Sequence, residues 1–173
     1  MGADIHFFVE RYSTDNYEGP KDLQENREEK LGVVLADDKF EPRWITADKW
    51  IYDNKYDEGF EWSIDYNTRF YNGRNYYLFG VLAGVRGDDN IISEARGVPD
   101  DASYAYKHEV ERWDGDGHSH SYYTLDELLA VDWGKINTGE YDGWLDEWLE
   151  TIEKMKTIDP DSNKVRCVFF FDN

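Results

Sequence analysis

The sequence predicts an α+β fold in a single domain, with a mixed sheet that includes the N- and C-terminal strands and about four helices concentrated in residues 75–158. Three observations predict it. Residues near the start alternate with period 2, residues 165–171 form a near-continuous apolar run, and the middle carries helix-start signals followed by an apolar stripe at helical spacing. A chain of 173 residues is long enough for one compact core and short for two.

Over residues 4–11, Ile5, Phe7 and Val9 alternate with His6, Phe8 and Glu10, which is a strand with Asp4, His6, Phe8 and Glu10 on one face. Residues 12–30 are polar, with Gly19-Pro20 as a turn signal, and read as a loop. Residues 31–36 are a short strand candidate. The segment 40–71 is rich in Trp, Tyr and Asp without clean periodicity, and no element is assigned there.

Residues 76–85 read as a buried helix, with Asn75 as N-cap and Gly87 as stop. Pro99, followed by Asp100 and Asp101 near a positive helix end, opens a second helix running to Trp113. Thr124-Leu-Asp-Glu127 is a capping box that starts a short helix through Ala130. Residues 140–158 form the longest helix, with Trp144, Leu145, Trp148, Leu149, Ile152 and Met155 as its apolar stripe and Glu147, Glu150 and Glu153 facing water. After a turn at Pro160, residues 165–171 form a final strand whose continuous apolar character predicts burial on both faces and a central place in the sheet.

Composition limits the function. There are 38 acidic and 19 basic residues, a formal net charge of −19. That excludes a nucleic-acid binder held by phosphate contacts and docking on an anionic membrane surface, both of which need basic clusters. Aromatics make up 17% of the chain, too many for a disordered polyanion. No run approaches the roughly 18 apolar residues of a membrane helix. The opening lacks the regions of a secretory signal, and His6 breaks the myristoylation pattern after Gly2. The single cysteine, Cys167, rules out an internal disulfide and suits a reducing cytoplasm.

Two constellations carry possible chemistry. The first is a possible divalent metal site. If residues 118–121 are extended, His118 and His120 point one way and Ser119 and Ser121 the other; Asp116, or Asp4 and His6 from the first strand, would complete a nitrogen-oxygen ligand set. The second is a set of arginines at helix ends and in loops: Arg74, Arg86, Arg96 and Arg112. Planar guanidinium groups take phosphates bidentately. With Asn75, Trp113, Ser119 and Ser121 they would line a pocket for a small anionic nucleotide, arginines meeting phosphates, an aromatic ring stacking on a base, and hydroxyls taking other oxygens. No Gly-x-Ser-x-Gly elbow, Walker loop or Rossmann glycine pattern occurs, and Cys167 lies in an apolar strand where a thiol is a small hydrophobe.

Several blocks resemble a family of small phage and bacterial proteins: the opening Met1-Gly-Ala-Asp-Ile-His6, residues 73–86, residues 93–99, Asp116-Gly-His-Ser-His-Ser121 with residues 124–128, and the closing Val168-Phe-Phe-Phe-Asp-Asn173. Ala95 and Val98 stand where that pattern has Pro and Leu, and residues 12–70 are not covered. The resemblance implies a context, that of phage accessory proteins acting in the host cytoplasm, many of which counter bacterial immunity. Three functions are then expected in order: sequestering a nucleotide-derived immune signal such as a cyclic dinucleotide or cyclic ADP-ribose relative, often as a homo-oligomer; cleaving such a signal as a metal-dependent phosphodiesterase; or mimicking DNA through the acidic surface.

Overall fold

The computed structural model describes residues 4–15, 17–19, 33–34, 41–53, 61–85, 91–136 and 144–172. Eight strands and four α-helices are described: β1 (Ile5–Ser13), β2 (Tyr17–Glu18), β3 (Val33–Val34), β4 (Arg43–Thr46), β5 (Trp50–Asp53), β6 (Glu61–Ile64), α1 (Tyr76–Ala83), α2 (Tyr104–Trp113), β7 (His118–Thr124), α3 (Leu125–Leu129), α4 (Trp144–Lys156) and β8 (Val165–Phe171). The fold is α+β. Its main sheet has the order β4-β1-β8-β7, and β2-β3 and β5-β6 form two-stranded ribbons. The expected mixed sheet is antiparallel throughout these strands.

β8 occupies the interior of the sheet and every one of its residues is buried. Alternation explains why its apolar run is unbroken. Cys167, Phe169 and Phe171 pack with α1, α3 and α4 on one face, where Leu78, Phe79, Leu125, Leu128, Trp148 and Met155 gather. Val168 and Phe170 pack with Phe8, Ala105 and Tyr106 on the other face, under α2. β1 follows the same rule, sending Phe7 and Val9 to the first cluster and Phe8 to the second. Burial also pushes the Cys167 thiol up to about 12, in keeping with an inert core side chain.

Helix ends follow local chemistry in two cases and distant chemistry in a third. The Asn75 side chain accepts from the N–H groups of Tyr77 and Leu78, and α1 ends at Gly84, whose φ of 67° is left-handed. The expected stop, Gly87, lies outside the described residues. At α3 the capping box is complete, Thr124 Oγ1 accepting from Glu127 N–H and the Glu127 carboxylate accepting from Thr124 N–H. Thr124→Ala is expected to lower stability by about 1 kcal/mol, read as a shift of the urea midpoint with unchanged slope.

α2 starts later than its Pro99-Asp100-Asp101 signal suggested. Residues 99–102 make a turn, closed by Ala102 N–H donating to Pro99 O at 3.0 Å. Ser103 is the N-cap, its hydroxyl accepting from Tyr106 N–H. Two buried carboxylates fix that point from far along the chain: Glu10 accepts from Ser103 N–H at 2.7 Å, and Glu18 accepts from Tyr104 and Ala105 N–H at 2.9 and 3.0 Å. Unpaired N–H donors and the positive helix end both draw negative charge there.

α4 keeps most of its stripe. Trp148, Ile152 and Met155 are buried, whereas Leu149 is exposed and Thr151 takes a buried place, donating to Phe70 O. Residues 140–143, expected to begin this helix, are outside the described residues. Among the described residues no helix is long and apolar enough to cross a membrane.

Candidate functional site

Among the described residues, a group of titratable and aromatic side chains gathers where β1 begins and β8 ends. Asp172 binds both atoms that the start of β1 offers: its Oδ1 accepts from Asp4 N–H at 2.6 Å, and its Oδ2 lies 3.1 Å from His6 Nε2. Burial pushes the Asp172 carboxyl up, but the Asp4 N–H and the His6 ring outweigh it and hold the group below the usual carboxylate range. The His6 ring stacks on Phe170 at 4.5 Å and meets Trp113, tilted, at 4.6 Å. Its Nδ1 is buried without a hydrogen-bond partner. At the rim, Arg74 reaches Asp4 at 2.5 Å with both side chains more than half exposed.

β7 joins this end irregularly. Its register against β8 shifts between His118 and Ser121, and Ser119 has a φ of 52°. The simple alternation expected for residues 118–121 therefore breaks. His118 Nδ1 lies 3.0 Å from Ser119 Oγ, and its ring stacks on Phe171. The His120 ring stacks on Phe170 at 5.1 Å. Ser121 turns inward, fully buried, and accepts from Arg96 N–H. Nε2 of His118 and Nε2 of His120 are both buried without a partner. Burial, helped by the neighbouring His118, lowers the His120 pKa, so this ring is neutral near pH 7.

The strand order places β8 between β1 and β7, so Phe170 stacks with His6 from one neighbour and His120 from the other. The expected metal set of Asp4, His6, Asp116, His118 and His120 does not converge. Asp116 sits exposed in a 3-10 turn, His6 is engaged by Asp172, and among the described residues no group of three or more His, Cys, Asp or Glu is placed to hold a metal ion.

The predicted ligand-binding residues separate in the same way. Asn75 spends its side chain on the α1 cap. Arg96 pairs with Glu127 at 2.9 Å, donates to Tyr122 O and lies 4.2 Å from the Tyr123 ring centre. Arg112 is half exposed and 3.8 Å from Glu109. Arg86 lies outside the described residues. Arg74, Trp113 and Ser119 remain at the sheet end with the histidines.

Two buried charged groups carried no recognisable sequence signal. Asp172 organises the sheet end through atoms 166 and 168 positions away. Arg69 is buried, with its guanidinium 3.5 Å from the Tyr66 ring centre and 4.8 Å from that of Phe8. Only the i,i+3 spacing of Tyr66 and Arg69 was visible in the sequence, and that spacing is common. No family model, curated protein or solved structure matches the chain.

Proposed function

We propose that this chain binds and sequesters a small nucleotide-derived anion, of the cyclic dinucleotide or cyclic ADP-ribose kind, as a phage-type anti-defence protein acting in the host cytoplasm. The observation that carries the reading is the ring cluster at the sheet end. The His6 ring lies against Trp113 and Phe170, the His120 ring against Phe170 and the His118 ring against Phe171, and each of these three imidazoles has one buried ring nitrogen without a hydrogen-bond partner. Buried polar atoms without partners are uncommon, and several at one place point to a ligand that supplies the missing bonds. Aromatic faces accept a nucleobase and imidazole nitrogens accept or donate to its edge or to phosphate oxygens. Because the whole chain is strongly acidic, a long polyanion is repelled while a small ligand meets only the local groups.

One observation favours a hydrolytic alternative. The Asp172 carboxylate beside His6 Nε2 is the arrangement that orients an imidazole for proton transfer. The two readings separate in one experiment. Protein is incubated with a panel of cyclic dinucleotides and cyclic ADP-ribose derivatives, with and without chelator, and free ligand is measured before and after heat denaturation. Sequestration predicts ligand that disappears and returns intact, whereas turnover predicts product, spared by chelator if a metal takes part. Recovery of every ligand free and whole rejects both. For the ligand that is captured, Trp113→Ala is expected to raise Kd about 5- to 150-fold, the equivalent of one lost base stack at roughly 1–3 kcal/mol.

A further inference from the structure

We infer that Arg69 is the phosphoryl receptor of this protein: a buried guanidinium, clamped between two aromatic rings, that offers its donor edge to a phosphate oxygen pair on the α2 side of the sheet. The inference deepens the binding reading above and rests on it for the nature of the whole ligand.

A guanidinium removed from water is costly unless hydrogen-bonded anions replace the solvent. Arg166 shows the satisfied case in the same molecule, bonded to Glu10 and Asp101 and lying 4.1 Å from the Trp44 ring centre. Arg69 has no bonded carboxylate among the described residues. It is only 7% exposed, and its Nε is buried without a partner. The carboxylate that attracts it, Asp48, directs Oδ2 to Val9 N–H at 2.7 Å and leaves Oδ1 without a partner. The two charges thus attract across a gap rather than through a bonded ion pair. Burial pushes Asp48 up to about 7, so near neutrality it compensates Arg69 only in part.

The clamp also sets direction. The ring centres of Tyr66 and Phe8 lie 3.5 and 4.8 Å from the guanidinium carbon, which restricts the plane of the group, so an oxygen pair would have to meet it along its edge. Location links the site to the ring cluster. Phe8 and His6 are two residues apart on one face of β1, about 7 Å along the strand, and Trp113 packs on His6. A ligand with a base against Trp113 and a phosphate at Arg69 spans a separation natural to a nucleotide.

The test titrates inorganic pyrophosphate into the protein, followed by phosphorus NMR, with the fold of each variant checked by circular dichroism. Wild type is expected to bind saturably. Arg69→Lys is expected to weaken binding at least tenfold, because an ammonium cannot present the planar fork. Tyr66→Leu, at a side chain more than half exposed and therefore safe for folding, is expected to weaken it several-fold by freeing the plane. Lys135→Met, a surface charge paired with Asp132, serves as the charge control and is expected to change nothing. No saturable binding by wild type, or unchanged affinity in both Arg69→Lys and Tyr66→Leu, overturns the inference. A nucleotide captured with unchanged affinity by Arg69→Lys also overturns it while leaving sequestration intact. Pyrophosphate held through Arg69 with every nucleotide of the panel left free supports the receptor and rejects the sequestering role.

Discussion

Arg166→Met is expected to lower the unfolding free energy by roughly 3–5 kcal/mol, the range for stranding one partner of a buried ion pair. Arg166 is buried in β8, its Nε 2.5 Å from Glu10 Oε2 and its other nitrogens on the side chain and carbonyl of Asp101. Glu10 is fully buried, and its charge acts on two further buried carboxylates, Glu18 and Asp48. Without Arg166, Glu10 keeps only the Ser103 N–H on its other oxygen, in a region already crowded with negative charge. Asp101→Asn is the informative contrast. That carboxylate is 66% exposed, so its loss should cost no more than about 1 kcal/mol. The pair Glu10→Gln with Arg166→Met should recover part of the single-variant loss, since the stranded charge is then gone. Urea unfolding at pH 7 measures all of these. A loss below about 1 kcal/mol for Arg166→Met would contradict the assignment of Arg166 as the counter-charge of this cluster.

Elements whose cause is local were legible in the sequence. The run over residues 165–171 reads as a strand covered on both sides because its two faces meet two separate clusters, and it does. Asn75 and the Thr124–Glu127 box announce their helices because each cap closes within three residues. Segment 40–71 resisted because its strands are only four residues each, too few to display a period. The true start of α2 depends on Glu10 and Glu18, 93 and 86 positions away from the N–H groups they accept from, and no window along the chain contains that information.

The site was legible in composition and not in geometry. His118 and His120 were found, but the backbone of Ser119 breaks the alternation that would have set them side by side, and Phe170 meets rings from both flanking strands. Arg96 looked available and is instead held by Glu127, which also closes the α3 capping box. Arg69 looked ordinary, because one of its two ring partners, Phe8, reaches it only once β1 and the segment after β6 are folded together.

Between pH 5 and pH 8 the protein is expected to become less stable as pH rises, the reverse of the usual behaviour of a carboxylate. Burial is the main cause at Asp48, whose pKa moves from 3.8 to about 7 despite the Val9 N–H and the attraction of Arg69. The folded state therefore holds this proton more tightly than the unfolded chain. Its stabilising contribution is complete below about pH 4 and is lost as pH climbs through 7. At about 1.4 kcal/mol per pKa unit the full span is roughly 4 kcal/mol. Glu18, also raised chiefly by burial, acts in the same direction. Asp172 and His120 oppose them on the acid side. Asp172 sits below its ordinary value, so its contribution is present above about pH 4 and lost below it; His120 is lowered from 6.5, so its contribution is present above that pH and lost as pH falls. Asp48→Asn isolates the larger effect, since the amide keeps an acceptor for Val9 N–H and cannot titrate. The wild-type urea midpoint should be higher at pH 5 than at pH 8, and Asp48→Asn should remove most of the difference. A variant that retains the full wild-type slope would place the proton elsewhere in the cluster, with Glu18→Gln the next substitution to carry the same measurement.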